Sequence, residues 1–310
     1  MSHSLYDSPA FSTAQPRLSV LIPFLRDDPS DLIQQLDRET AALRGAVEVV
    51  LLDDGTGDAD LTQSLSRILS QTALPVRLIT LGKNEGRAIG RNRLADQARG
   101  AYLLFLDSDM KPDQDEFLQA WLSVVDQGQT QVAFGGFSLV QAPNDPCFAV
   151  HRAMASKSDC LTASQRRLHP EKYVFTSNLL ISKQVLNEEN FDPEFTGWGW
   201  EDVEWAMRVS RRYPVHHVDI PATHMGLDRV EALVSKYEQS VPNFARVLSK
   251  HPDFVSAYPS YRIARLIRRL PGRPLLRAIL GRVIKTEIMP TPLRAFSLRL
   301  YRAALYAEVV

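Results

Sequence analysis

Cysteine is scarce in this 310-residue chain, which contains two, Cys147 and Cys160. Neither has the partners that a zinc site requires, and two thiols do not make a disulfide framework, so a reducing compartment fits best. The chain also lacks any apolar run of about 18 residues, so we expect no transmembrane helix. Its first sixteen residues lack the basic-then-apolar layout of a secretion signal. We therefore expect a flexible N-terminus over residues 1–16 and a cytoplasmic protein that is soluble or membrane-peripheral.

The formal net charge is zero, but the charges are unevenly distributed. Residues 261–310 carry eleven Lys and Arg but two Asp and Glu, whereas the rest of the chain has a net charge of −9. Such a division suggests that a basic segment, residues 256–310, meets something anionic. Nucleic acid is not an expected partner.

Three arginine-rich segments separated by prolines make up this basic region: RIARLIRRL, PLLRAILGRVIK and PLRAFSLRLYRAALY. In the second, one helical face carries Leu275, Leu276, Ile279, Leu280, Val283 and Ile284. This pattern predicts a basic amphipathic helix that lies on an anionic membrane, here the inner face. Two alternatives remain: the helices pack on the rest of the protein with solvated arginines, or the charge meets a soluble anionic polysaccharide.

The N-terminal half alternates buried-strand and helix patterns. LSVLIPF, EVVLLDD, PVRLITL and AYLLFLD are nearly continuous apolar runs, typical of strands that are buried on both faces of a parallel sheet. Amphipathic stretches of helical length, residues 30–43, 60–70 and 86–98, separate them. The second half is less regular, with strand patterns near 131–140, 174–182 and 215–220 and helix patterns over 201–212 and 229–249. We predict an α/β domain over residues 17–255, with a mixed sheet and helices on both faces.

Polar residues gather where these strands end, and ligands bind at that edge of α/β sheets. FLDSDM places Asp107 and Asp109 directly after the fourth strand. Two such carboxylates suit a hard divalent cation that bridges to phosphates, although Asp-Ser-Asp is also an ordinary turn sequence. GKNEGRAIGRN follows the third strand and begins a helix, so Arg87 and Arg91 share a face that can reach a diphosphate or a base. The Asp53-Asp54 pair follows the second strand and is either a turn or an acceptor for a uracil N–H.

Taken in order, SVLIPF, VVLLDDGTGD, NEGRAIGRN and FLDSDMKPD resemble a family-2 glycosyltransferase of the GT-A (Rossmann-like) fold. The resemblance covers about residues 18–113. It implies that Pro23 and Asp54 line the nucleoside pocket, that Arg91 lies by the nucleotide, and that Asp107 and Asp109 bind the metal and the donor. The expected donor is a nucleotide sugar, most simply a UDP-sugar.

The stretch FTGWGWEDVE resembles the W-G-x-E-D element of β-1,4-galactosyltransferases and of chondroitin-polymerase-type enzymes. Inverting transfer requires one carboxylate to deprotonate the acceptor hydroxyl, and a helix N-terminus keeps such a carboxylate ionised. We therefore predict Asp202 as the general base and Glu201 as a residue that holds sugar hydroxyls. Trp198 and Trp200 would be platforms for the sugar, with Gly199 allowing close backbone approach. The simpler alternative is a core tryptophan beside the acidic start of a helix.

The last element is PATHMG. In enzymes that this chain resembles, a histidine downstream of the E-D pair completes the metal site, which points to His224. An imidazole beside carboxylates favours Mn²⁺ over Mg²⁺. His216 and His217 lie within a strand pattern and are more consistent with a structural role.

These features predict an inverting, metal-dependent glycosyltransferase that acts on a hydroxyl of a glycan or glycolipid. Two alternatives are a non-catalytic glycan-binding or scaffold protein on a transferase fold and a nucleotidyltransferase. The second is disfavoured because LRDDPS follows the first strand, where nucleotidyltransferases have a glycine- and arginine-rich phosphate loop.

Overall fold

A computed structural model of the protein describes residues 3–310. The strands are β1 (His3–Asp7), β2 (Leu18–Phe24), β3 (Val47–Asp53), β4 (Val76–Leu81), β5 (Tyr102–Leu106), β6 (Met110–Pro112), β7 (Val132–Phe134), β8 (Phe137–Ser138), β9 (Asn178–Ser182), β10 (Val215–His217) and β11 (Ala222–His224). Eight of them form one sheet in the order β1-β4-β3-β2-β5-β9-β7-β10, and three form a second sheet in the order β6-β11-β8.

The α-helices lie between and after these strands. They are α1 (Ser30–Asp37), α2 (Thr40–Leu43), α3 (Ala59–Gln71), α4 (Arg87–Gln97), α5 (Phe117–Asp126), α6 (Ala149–Ser158), α7 (Ala163–Arg166), α8 (Lys183–Glu188), α9 (Glu201–Val209), α10 (Val230–Gln239), α11 (Val241–Lys250), α12 (Pro252–Ala257), α13 (Pro259–Arg268), α14 (Arg273–Lys285) and α15 (Thr291–Tyr306). Short 3₁₀ helices cover Pro146–Phe148 and Pro170–Tyr173.

The centre of the large sheet confirms the predicted α/β fold with a mixed sheet. Strands β2, β3, β4 and β5 are parallel, and every residue of β3 is buried. Strand β9 runs antiparallel to both β5 and β7, which makes the sheet mixed. Burial on both faces explains the continuous apolar runs of these strands, because helices cover each side of the sheet.

The N-terminal segment differs from the flexible tail expected for residues 1–16. Strand β1 pairs antiparallel with β4, with Leu5 opposite Ile79. Phe11 is buried, and the guanidinium of Arg99 lies 3.9 Å from its ring centroid. The segment is polar in composition, but these long-range contacts hold it in place. Contacts of this kind cannot be inferred from a local sequence pattern.

The single helix expected over residues 229–249 is two helices, α10 and α11, which meet at Ser240. Pro242 is at the second position of α11. Proline has no N–H to donate to a carbonyl one turn back, and its ring collides with that carbonyl. The break places the buried Ser240 side chain against the C-terminal helix, where its Oγ lies 2.9 Å from Tyr306 Oη.

The basic C-terminal region packs on the α/β domain. Ala303, Ala304 and Tyr306 share a core cluster with Met207 and Phe244. The core is therefore continuous across the predicted boundary at residues 255 and 256. The expected apolar face of α14 is divided, since Leu280 and Ile284 are buried whereas Leu275 and Ile279 are exposed. No helix within residues 3–310 combines the length and the apolar character that crossing a bilayer requires.

Candidate active site

Strand register places the predicted nucleoside and DSD elements side by side. Leu21 of β2 is paired with Phe105 of β5, and two residues further along each strand come Pro23 and Asp107. Strand β3 ends next to β2, with Asp53 opposite Phe24. The carboxyl ends of three parallel strands therefore bring these polar groups to one edge of the sheet.

Asp54 organises the turn that starts α4. Its Oδ1 accepts the Glu85 N–H at 2.8 Å and its Oδ2 accepts the Gly86 N–H at 3.1 Å. Burial raises the pKa of Asp54, and these two backbone hydrogen bonds oppose the rise. Asp54 thus fixes the direction in which α4 presents its arginines, in addition to its predicted position by the nucleoside.

Arg91 contacts both the DSD turn and the start of α9, which are more than ninety residues apart in sequence. Its side chain is 2% exposed, its Nη1 donates to Glu201 Oε1 at 3.0 Å, and its Nη2 lies 3.6 Å from Asp107 Oδ1. Burial by itself would raise the pKa of Glu201, but the charges of Arg91 and Arg87 hold it below its ordinary value. The guanidinium therefore keeps Glu201 ionised and holds it close to Asp107.

The second sheet brings His224 to Asp109. In the β6–β11 pairing His224 lies opposite Met110, and the Met225 N–H donates to the Asp109 carbonyl at 2.8 Å. His224 Nε2 is then 3.1 Å from Asp109 Oδ2. Gly226 leaves room for this carboxylate, since a Cβ at that position would be 2.0 Å from Asp109 Oδ2.

Asp109 and His224 shift each other's pKa values. Burial opposes both charges, yet the hydrogen bond between the two side chains lowers the pKa of Asp109 and raises that of His224. Within residues 3–310, no three His, Cys, Asp or Glu side chains form a complete cage for a cation. A cation held here would therefore take further oxygen ligands from a bound diphosphate or from water, as divalent cations at nucleotide sites commonly do.

Three residues directly before α9 have a left-handed backbone conformation. Gly197, Gly199 and Trp200 have φ of 73°, 88° and 75°. Glycine adopts this conformation without cost, whereas tryptophan does not. Compensating contacts hold Trp200 in place: its Nε1 donates to Tyr306 Oη at 2.9 Å, and its ring packs on Phe244.

Asp202 is in the first turn of α9, with its side chain partly exposed to the pocket. Burial and then the neighbouring Glu201 charge raise its pKa to about 7. Of the two adjacent acids, Glu201 is therefore fixed as a carboxylate by Arg91, while Asp202 exchanges its proton near neutrality. This contrast matches a structural role for one and an acid–base role for the other.

One pocket of about 420 Å³ collects most of the predicted site. The volume falls within the ~300–1,000 Å³ that small-molecule sites span. Its lining includes nine of the predicted residues, namely Arg91, Asp107, Asp109, Trp198, Gly199, Trp200, Glu201, Asp202 and His224. Pro23 and Asp54 lie at the adjacent sheet edge and are not part of that lining.

Two groups near Asp109 and His224 were not predicted as part of the site: His151, which lines the pocket, and Asp27, which does not. His151 Nδ1 accepts the Asp228 N–H at 2.7 Å, its ring lies 5.8 Å from that of His224, and burial and the His224 charge lower its pKa to about 4. Asp27 follows β2, and partial burial and the Asp109 charge raise its pKa. Its position after a strand end was a usable signal, whereas nothing in the local sequence marks His151.

The sequence model of glycosyl transferase family 2 matches residues 19–189, which is more than half of the chain. The protein belongs to glycosyl transferase family 2. The match includes the strand ends, α4 and the DSD turn, so it confirms the family-2 resemblance. The W-G-W-E-D stretch and His224 lie beyond the matched residues, and their predicted roles stay predictions.

Curated relatives are glycosyltransferases. The glycosyltransferase AglE of Haloferax volcanii is 24% identical over 199 residues, which are 63% of this chain and 62% of AglE. The putative teichuronic acid biosynthesis glycosyltransferase TuaG of Bacillus subtilis is 30% identical over 101 residues, which are 32% of this chain and 38% of TuaG. The matched part thus spans less than two thirds of either relative.

Solved structures support the fold. The mannosyltransferase PcManGT from Pyrobaculum calidifontis, in complex with GDP-Man and Mn²⁺, superimposes with a TM-score of 0.57 over 96% of this chain and 88% of that one. The two sequences are 15% identical, so the likeness shows the GT-A fold.

Arg91→Met tests the bridge between α4, the DSD turn and α9. The substitution leaves Glu201 buried without its cation, so we expect the free energy of unfolding to fall by about 3 kcal/mol. The measurement is urea unfolding at pH 7. Arg17→Met is the control, because Arg17 and its partner Asp126 are both about half exposed, and loss of this surface ion pair should cost about 1 kcal/mol or less. Equal losses in the two variants would contradict the bridging role.

Proposed function

We propose that the protein is an inverting, metal-dependent glycosyltransferase that moves a sugar from a UDP-sugar to a hydroxyl of a glycan or glycolipid. The observation that carries the proposal is convergence. The DSD turn, the start of α9 and His224 come from distant parts of the sequence and line one pocket. Arg91 and the Asp109–His224 pair connect them directly.

Asp202 is the general base in this proposal. Inversion requires the acceptor hydroxyl to attack the anomeric carbon from the face opposite the leaving nucleoside diphosphate. A carboxylate within hydrogen-bond reach of that hydroxyl takes its proton as the new bond forms. Its pKa of about 7 suits this exchange, because a base is most effective when its pKa is near the working pH.

The leaving diphosphate would lie against the DSD side of the pocket. Asp107, Asp109 and His224 would supply oxygen and nitrogen ligands that suit Mn²⁺, and the 3.1 Å contact between Asp109 Oδ2 and His224 Nε2 brings two of these atoms together. A bound Mn²⁺ would neutralise charge that develops on the diphosphate. Arg87 also lines this side, 4.0 Å from Glu201, and adds positive charge there.

The sugar would lie along the W-G-W-E-D loop. Trp198 lines the pocket and packs on Tyr237, and its indole offers an apolar face for a pyranose. Trp200 has a double role, since its N–H is already bound to Tyr306 and its ring rests on the C-terminal core. Glu201 Oε1 accepts from Arg91, so its other oxygen is the one that we assign to a sugar hydroxyl.

The two alternatives have less support. A nucleotidyltransferase would need a phosphate loop after β2, where this chain has LRDDP, which contains two acids and no glycine. A non-catalytic glycan-binding protein would not need Asp202 at a pKa of about 7 beside a carboxylate that Arg91 keeps charged.

Donor turnover tests the proposed reaction class. We expect the protein with Mn²⁺ to hydrolyse slowly at least one nucleotide sugar from a panel of UDP-sugars and GDP-mannose, because water can replace the acceptor. Release of nucleoside diphosphate is the measurement, and Asp109→Ala is the variant that should abolish both turnover and Mn²⁺-dependent UDP binding. If no nucleotide of the panel binds in calorimetry with Mn²⁺, the proposal is wrong.

Asp202→Asn tests the base assignment. With an added acceptor, we expect kcat to fall by about 10²–10⁴-fold, which is the usual contribution of a positioned base. In the wild type, kcat/KM should rise with pH through about 7, since Asp202 is protonated and inactive below that pH. The control is Asp60→Asn, an exposed acid in the first turn of α3. Full activity of Asp202→Asn in a folded protein would refute the assignment.

We further propose that the C-terminal helices bind an anionic membrane surface at the inner face. Nine large apolar side chains are exposed between residues 263 and 296: Ile263, Leu266, Leu270, Leu275, Ile279, Ile288, Met289, Leu293 and Phe296. Six exposed basic residues accompany them, and within residues 3–310 no carboxylate lies within 4.0 Å of their charged groups: Arg262, Arg265, Arg268, Arg269, Arg282 and Lys285. Apolar insertion and charge attraction then act together.

Vesicle sedimentation tests this membrane face. Wild-type protein should sediment with vesicles of phosphatidylglycerol and phosphatidylcholine more than with phosphatidylcholine alone. Replacing Leu266, Leu275 and Phe296 by serine should weaken binding at least tenfold, since each buried apolar side chain contributes about 1.5–3 kcal/mol. The matched control replaces Val140 and Leu168, which are exposed apolar residues outside these helices. Equal sedimentation of wild type with both vesicles would exclude the anionic surface.

A further inference from the structure

Two arginines of the C-terminal helix belong to the wall of the catalytic pocket. Arg299, Arg302 and Tyr306 are spaced by three and four residues on α15, which puts them on one helical face, and all three line the pocket. We call these three residues the α15 stripe. The function proposed above uses neither arginine.

Both arginines of the stripe lack an ion pair. Within residues 3–310, no carboxylate oxygen lies within 4.0 Å of either guanidinium. Arg302 instead lies over the ring of Tyr237, with its Cζ 5.1 Å from the centroid. Asp159 is the acid that faces them, and burial raises its pKa, which weakens it as a counter-charge. Positive charge in this wall is therefore only partly balanced.

Two hydroxyl groups that line the same pocket have no hydrogen-bond partner. They are Ser177 Oγ, on a residue that is 4% exposed, and the buried Oη of Tyr258. A buried hydroxyl without a hydrogen-bond partner destabilises the fold, so a ligand that pairs with it would be favoured. The Nζ of Lys172, another pocket residue without an ion pair, is 5.7 Å from the Tyr258 ring. Hydroxyl donors without partners and cations without ion pairs in one cavity are the groups that an anionic ligand would bind.

The position of the stripe relates this ligand to the acceptor. Trp200, two residues before Asp202, donates its N–H to Tyr306 at the C-terminal end of the stripe. Arg302 and Arg299 follow at about 6 Å and 10 Å along the helix axis, given a rise of about 1.5 Å per residue. A ligand bound along the stripe would therefore lie near the loop that precedes the proposed base.

We propose that Arg299 and Arg302, with Lys172 and Tyr258, bind a phosphate group of the acceptor, at a subsite separate from the donor diphosphate site. Guanidinium groups form two parallel hydrogen bonds to phosphate oxygens, and hydroxyl donors complete the set. The proposal depends on the proposed function, because it takes the acceptor to be the molecule that reaches Asp202. The phosphate is carried either by a membrane lipid or by a water-soluble polymer.

The test measures phosphate binding while UDP and Mn²⁺ saturate the donor site. In the soluble arm, glycerol 3-phosphate is titrated against glycerol. In the vesicle arm, phosphatidylcholine vesicles with a long-chain alkyl phosphate are compared with vesicles without it. We expect wild-type protein to prefer the phosphate in at least one arm and Arg299→Gln/Arg302→Gln to bind it at least tenfold more weakly. Preference confined to the vesicle arm assigns a lipid phosphate, and preference in the soluble arm assigns a soluble one.

Controls separate this subsite from folding and from the donor site. Arg67→Gln, an exposed arginine on α3 outside the pocket, should bind as the wild type does. Arg299→Lys/Arg302→Lys keeps the charge and should recover part of the affinity, with melting temperatures reported for every variant. UDP affinity measured on the same samples tests the proposed function independently. Wild-type protein without phosphate preference in either arm, or a Gln variant that binds like the wild type while UDP affinity is retained, would overturn the subsite.

Discussion

The pocket depends on one buried guanidinium. Arg91 binds Glu201 and approaches Asp107, so two acids that would otherwise repel each other in a poorly solvated place share one cation. Its position is fixed by Asp54, which holds the turn before α4, and by the register that ends β5 at Leu106, directly before Asp107. The family-2 motifs at the sheet edge therefore also position the two acidic residues at the start of α9.

The C-terminal helices form part of the enzyme's pocket. Trp200 adopts a left-handed backbone at the start of α9, and its indole is anchored on Tyr306, which also contacts Ser240. That backbone conformation suits glycine better than tryptophan. In this chain a tryptophan there connects the loop that carries Asp202 to the helix that carries Arg299 and Arg302.

Sequence reasoning succeeded where the determining interactions are local or periodic. The four apolar runs match β2, β3, β4 and β5 within one residue at each end. The structure also brings His224 to Asp109, and its role as a metal ligand stays a prediction. It failed where distant contacts decide: β1 is ordered by pairing with β4, and half of the apolar face of α14 is covered by other helices. Arg299, Arg302 and His151 could not be assigned to the pocket, since their positions depend on how helices pack. The roles of Asp202, Trp198 and the membrane face remain predictions.

A structure of the protein with UDP and Mn²⁺ tests the central claim most directly. The account predicts that the diphosphate and Mn²⁺ contact Asp107, Asp109 and His224, with uracil near Pro23 and Asp54. Asp202 should then face the β-phosphate across the space that a sugar would fill. A nucleotide bound elsewhere, or a diphosphate with Asp202 on its own side, would contradict the account.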